Sequence, residues 1–249
     1  MPGEIVIPEA QDRTARDSMR ERIKSTATTL FIRHGYRGVS FGDIASRLGI
    51  TRANIHYHFG NKQKLLDEVL EDYVDGTLAR MGGLWRDDGL TFAEKLEGNI
   101  AFNRERYGAF NRGRTGGKHW SLITRMRNES DAIGKTACDT LQRFAHILAS
   151  DIETGVKAAI RRGELIAAAP VNEIVVQAVS IANAAGTIAQ DAGTFDRVDN
   201  LYRAFLRTVL AAYGGSRTSA VTAHKAGSRA VASVKARGSR GPSARSRAG

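Results

Sequence analysis

Three residues at fixed spacing, Ala45, Gly49 and Ile55, constrain the fold of this chain more than any other feature of its sequence. Two helices that cross steeply through a short turn need a small side chain where they pass each other, and Ala45 provides one. Gly49 tolerates the positive φ that such a turn requires. Ile55 then falls in the angle between the helices, so residues 40–59 are predicted to form a helix-turn-helix.

The flanking residues carry the start signals of these helices. Ser40 with Asp43 three residues later is a capping pair for the first helix, and Thr51 is a suitable N-cap for the second. A preceding helix is expected to start at a capping box, Ser18–Glu21, and to end at Gly35. Together these signals predict a head of three helices.

The second helix of the motif has one apolar and one polar face. Ile55 and Phe59 point inward, which leaves six residues on the exposed side and at the leading end: Thr51, Arg52, Ala53, Asn54, His56 and Tyr57. Arg pairs bidentately with guanine, Asn pairs with adenine, and Ala or the Thr methyl contacts a thymine methyl. This face is predicted to read DNA, and the alternative is a helical hairpin without a nucleic-acid role.

The charge of the head agrees with DNA binding, and its histidines do not suggest a metal site. Residues 16–70 contain ten Lys or Arg and five acids, a net charge of +5, which attracts phosphates. His56 and His58 diverge by roughly 200° around a helix and have no Cys or carboxylate nearby, so no metal is predicted there. No cofactor is predicted for the chain.

Residues 20–79 resemble the DNA-binding domain of the TetR family of transcriptional regulators. The resemblance rests on the segment from Gly35 to Ser40, the helix-turn-helix, and the closing run from His56 to Leu66, in which His56 stands where Tyr is usual. By this resemblance residues 51–54, 56 and 57 would make base and backbone contacts. Ser40, His58 and Lys62 would bind phosphates of the DNA backbone.

The rest of the chain is long enough for a second helical domain. Helices are predicted from Asn61 to about Arg80, from Thr91, and at about 131–162, 171–190 and 196–213, and no strand signal accompanies them. The fold is therefore predicted to be all-α, with a disordered arm at 1–15, the DNA-binding head at 16–62 and a helical domain at 63–213. The resemblance implies that this second domain binds an effector and dimerises. The single cysteine, Cys138, suits a reducing cytoplasm.

The last two helices are candidates for a dimer interface. The first is lined with small residues, Ala178, Ala182, Ala185 and Ala189, which permit close approach of another helix. Core packing within one chain explains this pattern about as well. The resemblance favours a homodimer, because TetR-like proteins pair through their last two long helices.

The same resemblance implies a small-molecule pocket among the middle helices. The aromatic and Met side chains that could line it are Trp85, Phe102, Tyr107, Phe110, Trp120, Met126 and Phe144, although each is as readily an ordinary core residue. The loop from Asn111 to Lys118 differs from a phosphate-binding loop, since its Gly-to-Lys spacing is one residue short and His119 stands where Ser or Thr should be.

The last segment, residues 214–249, consists mostly of Gly, Ser, Ala, Arg and Lys. It holds eight basic residues and no acid, and so carries eight of the eleven net positive charges of the chain. With so little to bury, this tail is predicted to be disordered. It would be either a non-specific phosphate tether or a solubilising extension.

These patterns, together with what the resemblance to the TetR family implies, predict a cytoplasmic, homodimeric transcriptional repressor that binds an inverted-repeat operator and is released by a small-molecule effector. The alternative is an architectural, largely non-specific DNA-binding protein that uses the basic tail. An enzyme is not predicted, because no carboxylate pair, nucleophile with base, or metal cluster appears at usable spacing.

Overall fold

The computed structural model describes residues 8–111 and 116–215, and the predicted all-α fold is confirmed there. Side chains are described from residue 17 onward. The helices are α1 (Pro8–His34), α2 (Phe41–Leu48), α3 (Arg52–Phe59), α4 (Lys62–Arg86), α5 (Phe92–Phe110), α6 (Leu122–Arg127), α7 (Gly134–Arg161), α8 (Val171–Ala192) and α9 (Asp196–Tyr213).

The helix-turn-helix forms as its spacing predicts. Ser40 and Asp43 make the full capping box at the start of α2, and the Thr51 hydroxyl accepts a hydrogen bond from the Asn54 amide at the start of α3. Gly49 ends α2 in the left-handed conformation, with φ at 67°. Ile55 has no exposed surface. The local signals of the sequence therefore suffice to set both helices and the turn.

The start of α1 differs from the prediction. The helix begins at Pro8, so the Ser18–Glu21 pair lies in its interior and does not cap it. Proline is favoured at a first helical position, and the residues that follow it include good helix formers and neither Gly nor Pro, so nothing stops the helix before Ser18. Half of the arm expected at 1–15 is therefore helical, and residues 1–7 lie outside the described part.

Two long helices, α4 and α7, run side by side in the same direction and form the frame of the second domain. Arg143 of α7 pairs with Glu71 of α4 at 2.8 Å, and Arg86 at the end of α4 pairs with Asp151 at 2.5 Å. α4 extends to Arg86, beyond the predicted end near Arg80, because Val74, Leu78, Met81 and Trp85 continue its buried face. The short helix α6, which the sequence did not predict, is capped by Ser121.

The small residues of α8 pack inside the chain, so core packing, the stated alternative to an interface, accounts for them. Ala178, Ala185 and Ala189 are buried within the monomer, and Ala182 is partly buried. α8 is long and apolar enough to cross a membrane by length and composition alone. Its exposed side carries Asn172, Glu173, Gln177, Ser180 and Thr187, as expected for a helix that packs on a protein core.

One end of the helical domain adjoins the head, and the last described residue, Gly215, lies at the opposite end. At the head end, Gln63 at the start of α4 meets Ile133 just before α7. At the far end, the Gly215 amide donates to the Glu164 carbonyl at 2.8 Å, beside the end of α7. A helix of the length of α7 spans about 40 Å, so the tail begins that far from the head, not beside it. Residues 216–249, where disorder was predicted, lie outside the described part.

Replacement of Gly155 by Ala is expected to destabilise the protein by about 1–3 kcal/mol, because the frame leaves no room for a methyl group there. A Cβ at Gly155 would lie 2.7 Å from the Trp85 ring and 3.1 Å from its carbonyl oxygen. Gly76→Ala is the matched control: it lies in α4 with open space around it, and should stabilise by about 0.5–1 kcal/mol. Urea unfolding at equal protein concentration measures both. A Gly155→Ala variant as stable as the parent would contradict this packing.

Candidate nucleic-acid interface and internal cavity

The outer face of α3 is presented to solvent by a rigid support. Arg52, Ala53, His56 and Tyr57 are exposed, and Tyr57 keeps 64% of its surface accessible. Ile55 and Phe59 are fully buried beneath them. The structure thus brings the predicted base-contacting residues together on one side of one helix. Their contact with DNA remains a prediction.

Neighbouring groups hold two of these side chains in place. The Arg52 guanidinium lies against Gly42 of α2, where a Cβ would come within 2.8 Å of its Nη2 atom. The His56 Nδ1 atom lies 2.8 Å from the Gly60 carbonyl oxygen, which can only accept, so Nδ1 donates. The centres of the His56 and Phe41 rings lie 4.8 Å apart, with the rings in an edge-to-face arrangement. These contacts orient the two polar groups before any ligand arrives.

The leading end of α3 is held by its cap. The Thr51 hydroxyl oxygen accepts from the Asn54 amide at 3.2 Å. Asn54 is half-buried, and its side-chain carbonyl oxygen is buried without a hydrogen-bond partner among the described residues. A half-buried amide with an unused acceptor is consistent with a contact made only in a complex.

The residues predicted to grip phosphates differ in what they already bind. Ser40 is exposed, and its hydroxyl donates to the Asp43 carboxylate at 2.6 Å. Lys62 donates to the Tyr36 and Val39 carbonyls, at 3.0 Å each, and its ammonium lies 4.2 Å above the Tyr36 ring. Lys62 therefore ties α4 to the α1–α2 turn and keeps one N–H for another acceptor.

His58, the third residue predicted to bind phosphate, is half-buried, and its backbone carbonyl accepts a hydrogen bond from Arg20 at 2.6 Å. Arg47 in the last turn of α2 and Lys64 in the first turn of α4 are exposed cations of the helices that flank α3. The sequence analysis includes both only in the net charge of the head, because nothing in the motif separates them from other surface cations.

Two side chains, Gln63 and Glu129, join the head to the rest of the chain. Gln63 accepts from the Tyr36 hydroxyl at 3.0 Å and donates to the Ile133 carbonyl at 2.5 Å. The Glu129 carboxylate accepts from the Arg37 amide at 2.9 Å. Both partners in the head, Tyr36 and Arg37, belong to the turn that leads into α2. We call these contacts the joint.

An internal cavity of about 40 Å³ lies among α4, α5, α6, α7 and α8. Its walls include Phe102, Trp120 and Phe144, three of the seven effector candidates predicted from sequence. A groove of about 190 Å³ between α4 and α5 shares Met81 and Phe102 with it, and the Arg80–Glu105 ion pair also lines this groove.

The other four candidates do not line this cavity, because each packs elsewhere. Trp85 packs against Phe92, and Tyr107 against Trp120 and Phe195. Met126 is fully buried, and Phe110 lies under Arg33 of the head. Among the described residues, no group of three or more His, Cys, Asp or Glu is placed to hold a metal ion.

Comparison with known proteins finds sequence similarity in the DNA-binding head. The family model for bacterial regulatory proteins, tetR family, matches residues 23–69. The transcriptional repressor KstR2 of Rhodococcus jostii is 32% identical over 68 residues, which are 27% of this chain and 33% of that protein. IcaR, the negative regulator of the biofilm operon icaADBC of Staphylococcus epidermidis, is 30% identical over 76 residues, 29% of this chain and 41% of that protein. The chain therefore matches less than half the length of these relatives.

Solved structures resemble nearly the whole described fold. A TetR-family regulator from Agrobacterium tumefaciens aligns with a TM-score of 0.68 at 20% identity, over 78% of this chain and 98% of that one. A transcriptional regulator from Saccharomonospora viridis, solved in complex with choline, aligns with a TM-score of 0.64 at 21% identity, over 80% and 98%. At such identities the likeness establishes the fold.

The capping box of α2 is expected to show in the titration of Asp43. Hydrogen bonds from the Ser40 side chain and backbone lower the pKa of the Asp43 carboxyl below its ordinary value. A lowered pKa means that the cap stabilises α2 at higher pH and is lost as pH falls through the pKa of the folded state. Ser40→Ala should raise the Asp43 pKa part of the way back. NMR titration of the carboxyl carbons measures it.

Asp131 provides the internal control for this titration. Its pKa is lowered by the hydrogen bond from Arg37, so Ser40→Ala should leave it unchanged. An Asp43 pKa that does not respond to Ser40→Ala would contradict the assigned cause.

Proposed function

We propose that this chain, which belongs to the TetR family of bacterial regulatory proteins by its DNA-binding domain, is a homodimeric repressor that a small molecule releases from an inverted-repeat operator. The observation that carries the proposal is the polar outer face of α3, exposed and supported from below by Ile55 and Phe59. Regulators of this family are transcription factors and not enzymes, and we place this one in the cytoplasm.

In this proposal α3 enters the major groove and the first residues of the helix contact base edges. Arg52 would take the bidentate contact, since its guanidinium matches the acceptors of guanine. Ala53 and Thr51 would contact methyl groups, and Asn54, His56 and Tyr57 bases or backbone. Ser40, His58 and Lys62 would bind phosphates, with Lys62 using the N–H that the α1–α2 turn leaves free.

A dimer follows from the reach of one recognition helix, which covers only a few base pairs. We place its interface on the outer faces of α8 and α9, at about 171–190 and 196–213, because each helix leaves one large apolar side chain exposed there. These are Val176, at 63% exposed, and Leu201, at 38%. The buried alanines of α8 then support the interface from within the monomer and do not form it.

Release by a ligand would act through α6. Ile123, Thr124 and Arg127 of α6 line the cavity, and the helix is followed directly by Glu129, which holds the α1–α2 turn at the joint. A ligand that moves α6 therefore moves a hydrogen-bond acceptor of the head. Coupling of this kind is typically about 1–3 kcal/mol and is reciprocal, so operator DNA should weaken the ligand to the same degree.

The architectural alternative is favoured by the basic tail alone. It predicts no discrete footprint, whereas the repressor protects one inverted repeat. Footprinting on duplexes selected from a random pool separates the two functions, and protection without a repeat would overturn our proposal.

Arg52→Ala is expected to weaken the selected operator by about 1–3 kcal/mol and to relax its base preference, because a bidentate contact to guanine would be lost. Lys62→Ala should weaken all sequences alike. Lys157→Ala, which removes an exposed cation near the far end of α7, is its control and should leave both affinities unchanged. Competition binding with specific and scrambled duplexes measures these effects. Equal losses on both duplexes for Arg52→Ala would refute the base contact.

Removal of residues 216–249 is expected to weaken specific and random DNA by similar factors. The tail starts about 40 Å from the head, but 34 residues reach up to about 110 Å, so its basic residues can contact DNA beside the operator. Each phosphate contact made should steepen the slope of log affinity against log salt by about 0.9. Salt titration of the full-length and shortened proteins on one duplex measures it, and an unchanged slope would leave the tail a solubilising extension.

A further inference from the structure

A half-buried arginine, Arg106, lines the cavity and has no acidic partner among the described residues. Its Nη2 atom is buried without a hydrogen-bond partner in the described part of the chain, and its Nη1 atom is 3.5 Å from the Thr77 hydroxyl, at the limit of a hydrogen bond. The guanidinium lies between two aromatic rings, 4.5 Å from the centre of Tyr73 and 5.1 Å from that of Phe102. These rings fix its position without neutralising its charge.

Neighbouring arginines, unlike Arg106, each form an ion pair with a carboxylate. Arg104 on the same helix pairs with Asp199, Arg80 on α4 pairs with Glu105, and Arg203 on α9 pairs with Glu97. None of the ion pairs found in the described part of the chain includes Arg106. Burial lowers the Arg106 pKa to about 10, which still leaves the side chain charged at neutral pH. The fold therefore carries a half-buried charge whose Nη2 end is shielded from solvent and not neutralised by a described acid, and such a charge is costly to stability.

A second cation lines the same cavity. Arg127 of α6 donates to the Asn183 side-chain carbonyl at 2.7 Å and lies 5.7 Å above the Phe144 ring. Burial lowers its pKa too. The other polar residues of the lining are neutral: Thr77, Asn99, Asn103, Ser121 and Thr124. Two guanidinium groups and no carboxylate make a positive field in a place of low dielectric.

We propose that the cavity binds a small organic carboxylate, with Arg106 as the main partner of its carboxylate group and Arg127 as the second. This inference rests on the proposed function and names the chemical class of its effector. A cavity of about 40 Å³ holds little more than the charged group. The apolar body would extend past Met81 and Phe102 into the groove of about 190 Å³ and pack on Leu84, Gly98 and Ala101. The charged residues of that groove, Arg80 and Glu105, neutralise each other as an ion pair.

The arrangement also connects the ligand to the head. A carboxylate between Arg106 on α5 and Arg127 on α6 would draw these helices together. Because Glu129 follows Arg127 by two residues and accepts from the Arg37 amide, a shift of α6 acts directly on the joint. The Arg106 charge, which destabilises the free protein, would then pair with the carboxylate of the ligand.

The first experiment compares acids with their uncharged counterparts on the full-length protein. Acetate, butanoate, hexanoate, octanoate and benzoate are tested against the matching primary amides by thermal shift and calorimetry, with choline as a cation control. At least one acid longer than acetate is expected to raise the melting temperature and to bind at least tenfold more tightly than its amide. If no acid exceeds its amide, or if choline binds best, the proposal is wrong.

The second experiment replaces the cation. Arg106→Met keeps the aliphatic stem and removes the charge, and Arg104→Met is its control on the exposed face of the same helix. Arg106→Met should lose at least tenfold in affinity for the best acid, while its melting temperature without ligand stays equal or rises, because an unpaired, half-buried charge is gone. Arg104→Met should keep the affinity. Retained acid binding in Arg106→Met would overturn the proposal.

Two further measurements keep the outcome unambiguous. If Arg106→Met does not fold, Arg127→Met should weaken the same acid several-fold and leave its amide unaffected. Operator titration with the best acid then tests the proposed function separately. Acid binding that depends on Arg106 without any change in DNA affinity would support the carboxylate site and reject the switch, whereas loss of operator binding on addition of acid supports both.

Discussion

The arrangement of the whole molecule depends on the joint, where Gln63 and Glu129 hold the turn that leads into the helix-turn-helix. Glu129 is nearly buried, and its carboxylate reaches the Arg37 amide because Gly35 has no side chain. A Cβ at Gly35 would lie 1.9 Å from the Glu129 carboxylate, and φ there is 77°. These hydrogen bonds add a directional connection to the Arg20–Glu68 and Lys24–Asp72 ion pairs and to the buried apolar cluster from Phe31 to Leu66, which also attach the head to the helical domain.

In the proposed function, the joint is the route by which ligand binding in the cavity would act on α3. α4 runs from Lys62, which holds the head, to Arg86 at the far end, and α7 runs beside it. The frame is closely packed around Trp85 and Gly155 and is expected to move as one body. α6 lies between the cavity and the joint, and its buried residues Leu122, Ile123 and Met126 pack it against the neighbouring helices.

The head could be predicted almost completely because its signals are local. A cap, a glycine at a turn and an apolar residue at helical spacing act within a few residues, and Ser40, Gly49, Thr51 and Ile55 all have the predicted roles. The N-caps Asn61 and Thr91 follow the same rule. The prediction failed at Ser18, where a capping motif stands inside a helix that already begins at Pro8, because a local signal does not act when the preceding residues are also helical.

The sequence by itself determined the all-α class, the motif and the face of α3 that meets solvent, since these depend on spacing along one helix. The tertiary structure alone decided which side chains lose water and which partners they find. Lys62 donates to the Tyr36 and Val39 carbonyls, and the alanines of α8 pack inside the monomer. Arg106 is half-buried between aromatic rings, while Arg104 pairs with Asp199. Residues of the same type two positions apart differ in this way because burial and pairing depend on distant segments that no local pattern encodes.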